Sequence, residues 1–419
     1  MDKHTILHDV FGYNDFRQGQ EIVIDSILSK KDTLCVMPTG GGKSICFQLP
    51  ALLLDGLTIV VSPLISLMKD QVNTLERFGV NAAFLNSTLN NNEYRQTLKK
   101  LRDSDYKIIY VAPERLAMAD FISICKQIKI SMIAVDEAHC ISMWGQSFRP
   151  TYRSIFKFIN QLPVRPIISA FTATATPEIR KDIVNMLGMI SPTEIVTGFD
   201  RPNLYFSKKK TTHKTRVLLR FLRANKDKCG IVYCSTHKYT EDVCALLNQH
   251  GYAATLYHAG LSGKERKQNQ EQFASGKKKI IVATNAFGLG IDKADISFVI
   301  HYNMPKSIEG YYQEAGRAGR DGNPAKCLLL HNKEDIRINQ YLIHNSKHNP
   351  YLSEKEEMKI IDNNMHKLQR VVEYCNLKSC LRAYILDYFG EMHSDMCYYC
   401  ECCKFNGSKL GRIIKFLNS

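Results

Sequence analysis

The chain has 419 residues, 44% of them apolar, and a formal net charge of +15. This length is too great for one compact core, and the ordinary apolar fraction excludes long disorder. No apolar run approaches the roughly eighteen residues of a membrane span, and the start Met1-Asp2-Lys3-His4 lacks an apolar signal region, so the chain reads as soluble and intracellular with no membrane partner.

The excess of Lys and Arg favours polyanionic partners, because these side chains displace counterions from phosphates; a basic surface kept for solubility is the plainer alternative. Most of the fourteen cysteines stand singly in apolar stretches, as Cys35, Cys229 and Cys234 do, and read as small buried hydrophobes rather than a disulfide framework.

Residues 1–197 alternate strands with helices. The strands are Leu34–Met37, Leu57–Val61, Ile108–Val111, Met132–Val135 and Ile167–Phe171. A second unit, 198–335, has strands at Gly230–Cys234, Ala254–Tyr257, Ile280–Ala283 and Phe298–His301. Continuous apolar strands separated by helices predict an α/β fold with parallel sheets covered on both faces. Between the units, Thr197-Gly198-Phe199-Asp200-Arg201-Pro202-Asn203 carries the Gly and Pro of a hinge. A small helical subdomain is expected over 336–405, followed by a basic tail, 406–419.

The segment Met37-Pro38-Thr39-Gly40-Gly41-Gly42-Lys43-Ser44 joins a strand to a helix. Glycines let backbone N–H groups approach phosphates, and the helix N-terminus adds a favourable dipole. Lys43 can reach the terminal phosphates and the Ser44 hydroxyl can ligate Mg²⁺. Met37 stands where a strict phosphate loop has glycine. The second half of the site is Asp136-Glu137-Ala138-His139, again after an apolar strand. Asp136 can hold Mg²⁺, and Glu137 can orient or deprotonate the attacking water.

Directly after the acidic pair, Trp144-Gly145-Gln146-Ser147-Phe148-Arg149 combines two aromatics with an arginine, a set that can stack on bases; packing of Trp144 and Phe148 into the core is the alternative. Near the C-terminus, Cys397, Cys400 and Cys403 form a C-x₂-C-x₂-C run, with Cys380 upstream inside an expected helix. Four thiolates suit structural zinc, and spacing alone leaves an iron–sulfur cluster open. Cys402 reads as a bystander.

Taken together these motifs resemble the RecQ family of superfamily-two helicases. The resemblance extends through Phe11-Gly12-Tyr13, Phe16-Arg17-Gln18-Gly19-Gln20, Ser62-Pro63-Leu64, Ala112-Pro113-Glu114-Arg115-Leu116, Phe171-Thr172-Ala173-Thr174-Ala175, Tyr257-His258-Ala259-Gly260-Leu261, Ala283-Thr284 and Gln313-Glu314-Ala315-Gly316-Arg317-Ala318-Gly319-Arg320. It implies two RecA-like parallel-sheet lobes followed by a small helical zinc-binding subdomain, with ATP, Mg²⁺ and Zn²⁺ as cofactors. Gln20 would read the adenine edge, with Tyr13 or Arg17 packed on the ring. Thr39, Gly40, Gly41, Gly42, Lys43, Ser44 and Gln313 would complete nucleotide binding. Arg320 would be an arginine finger supported by Arg317, a planar cation suited to the transferred phosphoryl group.

Ser62, Arg115, Trp144, Phe148, Arg149 and Thr284 would contact nucleic acid, and Thr172 and Thr174 would link that surface to the ATP site. Gln146 departs from the histidine common in the family's aromatic-rich loop. The family favours zinc at Cys380, Cys397, Cys400 and Cys403. The implied activity is ATP-dependent 3′-to-5′ DNA unwinding in repair or recombination, on single-stranded and tailed or branched duplex DNA. A translocase with little unwinding and an inactive nucleic-acid scaffold are the alternatives. The expected compartment is the cytoplasm in a prokaryote and the nucleus in a eukaryote. The chain reads as a short form that ends after the zinc module.

Overall fold

The computed structural model describes residues 2–145, 148–288, 293–346, 348–349 and 351–407; Gln146, Ser147 and most of the expected tail, 406–419, lie outside the described residues. The chain divides into two compact units, Met1–Gly198 and Phe199–Ser419.

The first unit contains strands β1 (Thr33–Val36), β2 (Leu57–Val61), β3 (Ala82–Leu85), β4 (Ile108–Val111), β5 (Ile130–Val135), β6 (Ile167–Thr172) and β7 (Thr193–Val196). They form one sheet in the order β3-β4-β2-β5-β6-β1-β7, with every pair parallel. β1, β2 and β4 are buried at every position, as expected of strands covered on both faces. β7 alternates half-buried with exposed residues because it is an edge, which is why its Thr193-Glu194-Ile195-Val196 carries no continuous apolar signal.

In the second unit, β8 (Leu204–Lys210), β9 (Gly230–Tyr233), β10 (Ala254–Tyr257), β11 (Ile280–Ala283), β12 (Phe298–His301) and β13 (Ala325–His331) form a second parallel sheet, ordered β10-β11-β9-β12-β13-β8. β3, β7, β8 and β13 add to the strands expected from sequence. Cys229 precedes β9 and is only partly buried, unlike Cys35 and Cys234.

The region after β13 is helical. Its long helix Glu354–Asn376 packs on the sheet unit through a buried Lys367–Glu309 ion pair at 3.3 Å. Lys208 on β8 donates to the carbonyls of Tyr374 and Cys375 at 3.0 and 2.9 Å, where that helix ends and partial negative charge collects. Among the described residues no helix is long and apolar enough to cross a membrane.

The base of β1 is fixed by one carboxylate. Asp32 is buried and accepts hydrogen bonds from Arg165 Nη1 at 3.1 Å, Ile168 N at 2.9 Å and Ile190 N at 2.7 Å. It thereby ties the entry of β1 to the segments before β6 and β7. Replacing it by alanine leaves the Ile168 and Ile190 amides without this acceptor and removes the partner of the partly exposed Arg165, so Asp32→Ala should cost about 1–3 kcal/mol in urea unfolding of the intact chain.

Candidate nucleotide and zinc sites

β1 ends at Val36, and the chain turns through Met37 to Gly42 into the helix Lys43–Leu53. Gly42 has φ of 82°, and a Cβ there would lie 2.3 Å from Gln20 Nε2. Glycine is therefore required on both conformational and steric grounds. Met37 is buried and packs against Gly41, where an added Cβ would meet its Cγ at 2.5 Å. The residue that departs from the strict motif thus underlies the loop.

Three side chains hold the loop's carbonyls. Lys43 Nζ donates to Met37 O at 3.0 Å and Pro38 O at 3.4 Å. Arg17 Nη1 donates to Gly40 O at 2.7 Å. Gln20 Nε2 donates to Gly42 O at 3.1 Å, while its Oε1 accepts from Arg17 N at 2.8 Å. Gln20 is buried against the loop, whereas Tyr13 is exposed. Thr39 and Ser44 are half-buried within the same strand-to-helix turn.

The acidic pair follows β5. Val36 on β1 pairs with Thr172 on β6, and Val135 on β5 pairs with Ala170 on β6, so the three strand ends lie side by side. Burial, followed by the charge of Glu137, raises the Asp136 carboxyl to a pKa of about 7, with Lys43 opposing the shift. Two adjacent carboxylates held this way stay charged together only beside a compensating cation, a role that a bound divalent ion would fill. Asp136 Oδ1 accepts from Glu137 N at 2.9 Å, and Tyr152 Oη donates to Asp136 O at 3.0 Å.

Glu137 takes φ of 47° and ψ of 46°, a left-handed backbone that a non-glycine residue holds only when its surroundings impose it. From it a relay runs across the sheet. His139 Nδ1 lies 3.4 Å from Glu137 Oε2 and 2.9 Å from Thr172 Oγ1, which accepts from Thr174 N at 3.2 Å. The spacing of motifs could not show that relay; it depends on β6 lying between β5 and β1.

Trp144 is 50% exposed, so core packing does not account for it. Its backbone N–H donates to Ser142 Oγ at 3.1 Å, and that hydroxyl donates to Asp182 Oδ2 at 2.6 Å. Phe148 is half-buried with the Arg153 guanidinium 5.3 Å from its ring centre. Arg149 donates to Pro63 O at 3.0 Å. Arg115 donates to Asn86 O at 2.9 Å and covers the Tyr94 ring. Ser62 and Thr284 are buried at the ends of β2 and β11.

In the second unit, Gln313 lies near the end of the helix Ile308–Ala315, and Arg317 and Arg320 lie in the turn after it. Arg317 is buried and donates to Gly288 O. Arg320 is half-buried, and both arginines lie near Tyr233.

The Sγ atoms of Cys380, Cys397, Cys400 and Cys403 all lie within 4.8 Å of one another. Cys397–Cys403 and Cys380–Cys400 are each separated by 3.9 Å. Four Zn–S bonds of about 2.3 Å in a tetrahedron place sulfurs about 3.8 Å apart, so the set fits one zinc ion. Thiolates bound to separate irons of a cluster would have to spread further. Cys380 caps the helix Leu381–Tyr388 rather than lying inside a helix, with its Sγ accepting from Ala383 N at 3.4 Å. Cys402 stands apart from the set, with its Sγ 4.0 Å from Leu377 O.

Two parallel α/β units, a phosphate loop beside an acidic pair and a four-cysteine module define the DEAD/DEAH-box helicase class with a zinc appendage. The chain belongs to the RecQ family. Residues 17–183 match the DEAD/DEAH box helicase family, 213–322 the helicase conserved C-terminal domain and 333–404 the RecQ zinc-binding domain. The ATP-dependent DNA helicase RecQ of Bacillus subtilis is 45% identical over 400 residues, 95% of this chain and 66% of that protein. RecQ of Pasteurella multocida is 42% identical over 95% of this chain and 61% of its own length. A mimivirus protein provisionally named an ATP-dependent RNA helicase is 39% identical over 95% of this chain and 71% of its own length.

The chain thus spans a little under two thirds of those bacterial relatives. Its fold is similar to that of the DUF1998 helicase MrfA bound to DNA, with a TM-score of 0.68 at 17% identity over 94% of this chain and 59% of that one.

Purified without chelator, the intact chain should carry one zinc per molecule, and Cys400→Ser should lose it. Metal binding supplies about 10–16 kcal/mol to isolated zinc modules, so chelation should add an early thermal transition in the helical region while the sheets melt later. Metal analysis and calorimetry check both.

Proposed function

We propose that this protein is an ATP-driven DNA helicase that moves 3′ to 5′ on one strand and separates duplex DNA. The observation that carries the reading is the common edge at which Lys43, Asp136 and Glu137 meet. ATP would place its phosphates at the loop, with Mg²⁺ on Ser44 and Asp136 and the attacking water on Glu137. Gln20, with Tyr13 or Arg17, would bind the base, and Gln313 would complete the nucleotide contacts from the second unit. Arg320 would neutralise charge developing on the terminal phosphate, with Arg317 supporting it.

On the same reading, Ser62, Arg115, Trp144, Phe148, Arg149 and Thr284 contact the DNA. The relay from Glu137 through His139 to Thr172 and Thr174 supports a coupling between that contact and hydrolysis. The substrates would be single-stranded and tailed or branched duplex DNA, in repair or recombination, in the cytoplasm of a prokaryote or the nucleus of a eukaryote. The names of the bacterial relatives favour DNA.

The test pairs ATP hydrolysis with strand separation on tailed DNA and RNA duplexes. Both activities should appear on DNA. Hydrolysis without separation would point to a translocase, and separation of RNA alone would overturn the choice of substrate. Lys43→Ala should abolish hydrolysis, and Arg320→Ala should lower it about 10³-fold or more. Single-stranded DNA should quench the fluorescence of Trp144, the only tryptophan in the chain. Binding without quenching would remove Trp144 from the DNA surface.

A further inference from the structure

The turn that carries Arg317 and Arg320 is held from a segment far earlier in the chain. Arg201 Nη1 donates to Gly316 O at 3.2 Å, and its Nη2 donates to Ala318 O at 3.0 Å and Gly319 O at 2.9 Å. Asn203 Nδ2 donates to Gly319 O at 2.8 Å and Asn323 O at 2.9 Å. Four main-chain carbonyls of the turn therefore rest on two side chains. They follow the end of the helix Ile308–Ala315, where partial negative charge collects and a fixed cation is favourable. Gly319 makes room for the clamp: its φ is 58°, and a Cβ there would lie 2.4 Å from Asn203 Nδ2.

Among the described residues the Arg201 guanidinium bonds only to main-chain oxygens of this turn. A general surface cation would pair with a carboxylate instead. The clamp is itself braced. Arg382 is buried; its Nη1 donates to Asp200 Oδ1 at 3.2 Å, and its Nη2 donates to Pro202 O at 3.2 Å and Leu204 O at 2.8 Å. Arg382 belongs to the helix capped by the zinc-site residue Cys380.

We propose that Arg201, with Asn203, is a positioning residue for ATP hydrolysis: it fixes the main chain of the arginine turn, and Arg382 braces it from the zinc module. The proposal rests on the reading of Arg320 as the group that meets the terminal phosphate. A guanidinium presents five donors in a rigid plane, so its two terminal nitrogens hold carbonyls at separate points, a spread that the single nitrogen of an ammonium does not reproduce.

The experiment measures kcat and KM for ATP at saturating single-stranded DNA on the full chain. Arg201→Ala should lower kcat roughly 10- to 100-fold, the scale of a small misplacement of a reacting group, with KM changed less than about 3-fold. Arg201→Lys should lie nearer to Arg201→Ala than to the parent. In an Arg320→Ala background, Arg201→Ala should add almost nothing, because it acts through the group already removed. Asn203→Ala, a milder change, should lower kcat in the same direction and serves if Arg201→Ala does not fold.

Normal kcat in Arg201→Ala and Asn203→Ala, alongside an impaired Arg320→Ala, would overturn the positioning role alone. Losses that multiply in the double variant would do the same. Normal hydrolysis by Arg320→Ala would overturn the arginine-finger reading and this proposal with it.

Discussion

Parallel pairing of β1, β6 and β5 is the constraint on which the first unit's chemistry depends. Parallel strands point their carboxyl ends to one edge, and ligands of open α/β sheets bind beyond that edge. β1 delivers the phosphate loop and β5 the acidic pair, with Thr172 between them. Each group is then shaped locally. Gly42 frees the backbone, Met37 fills the space beneath the loop, and burial raises the Asp136 carboxyl until a cation compensates. The strained backbone at Glu137 persists because strands, Tyr152 and the His139–Thr172 bond define its surroundings.

The second unit uses the same sheet logic for a different end. Its helical region is joined to the sheet by Lys208, by the Lys367–Glu309 pair and by Arg382. The buried Lys367–Glu309 pair adds little net stability, because desolvation offsets most of its attraction. The zinc site fixes the far end: the 3.9 Å sulfur separations match a single tetrahedral ion. A ligand-set helix that also carries Arg382 makes the metal site and the arginine turn parts of one braced structure.

Much of this was legible in the sequence. Central strands such as Ile108–Val111 and Ile280–Ala283 are apolar throughout because both faces are covered. Of the edge strands, β10 was legible, but β7 and β8 were not: β7 alternates, and β8 ends in Lys208-Lys209-Lys210, which reads as a solvated run. The phosphate loop and the cysteine set were visible because their chemistry demands fixed short spacings. Arg201 and Asn203 were read only as part of a hinge, since their partners are main-chain carbonyls more than a hundred residues away, a relation no local pattern encodes. Exposure separated the two readings of Trp144, which its sequence neighbourhood left open.

The most direct test of the account is a crystal structure of the intact chain with Mg²⁺ and a non-hydrolysable ATP analogue. Lys43 Nζ should leave the carbonyls of Met37 and Pro38, which it now holds at 3.0 and 3.4 Å, for the terminal phosphates, with the cation between Ser44 and Asp136. A nucleotide bound elsewhere, with Lys43 still on those carbonyls, would contradict it.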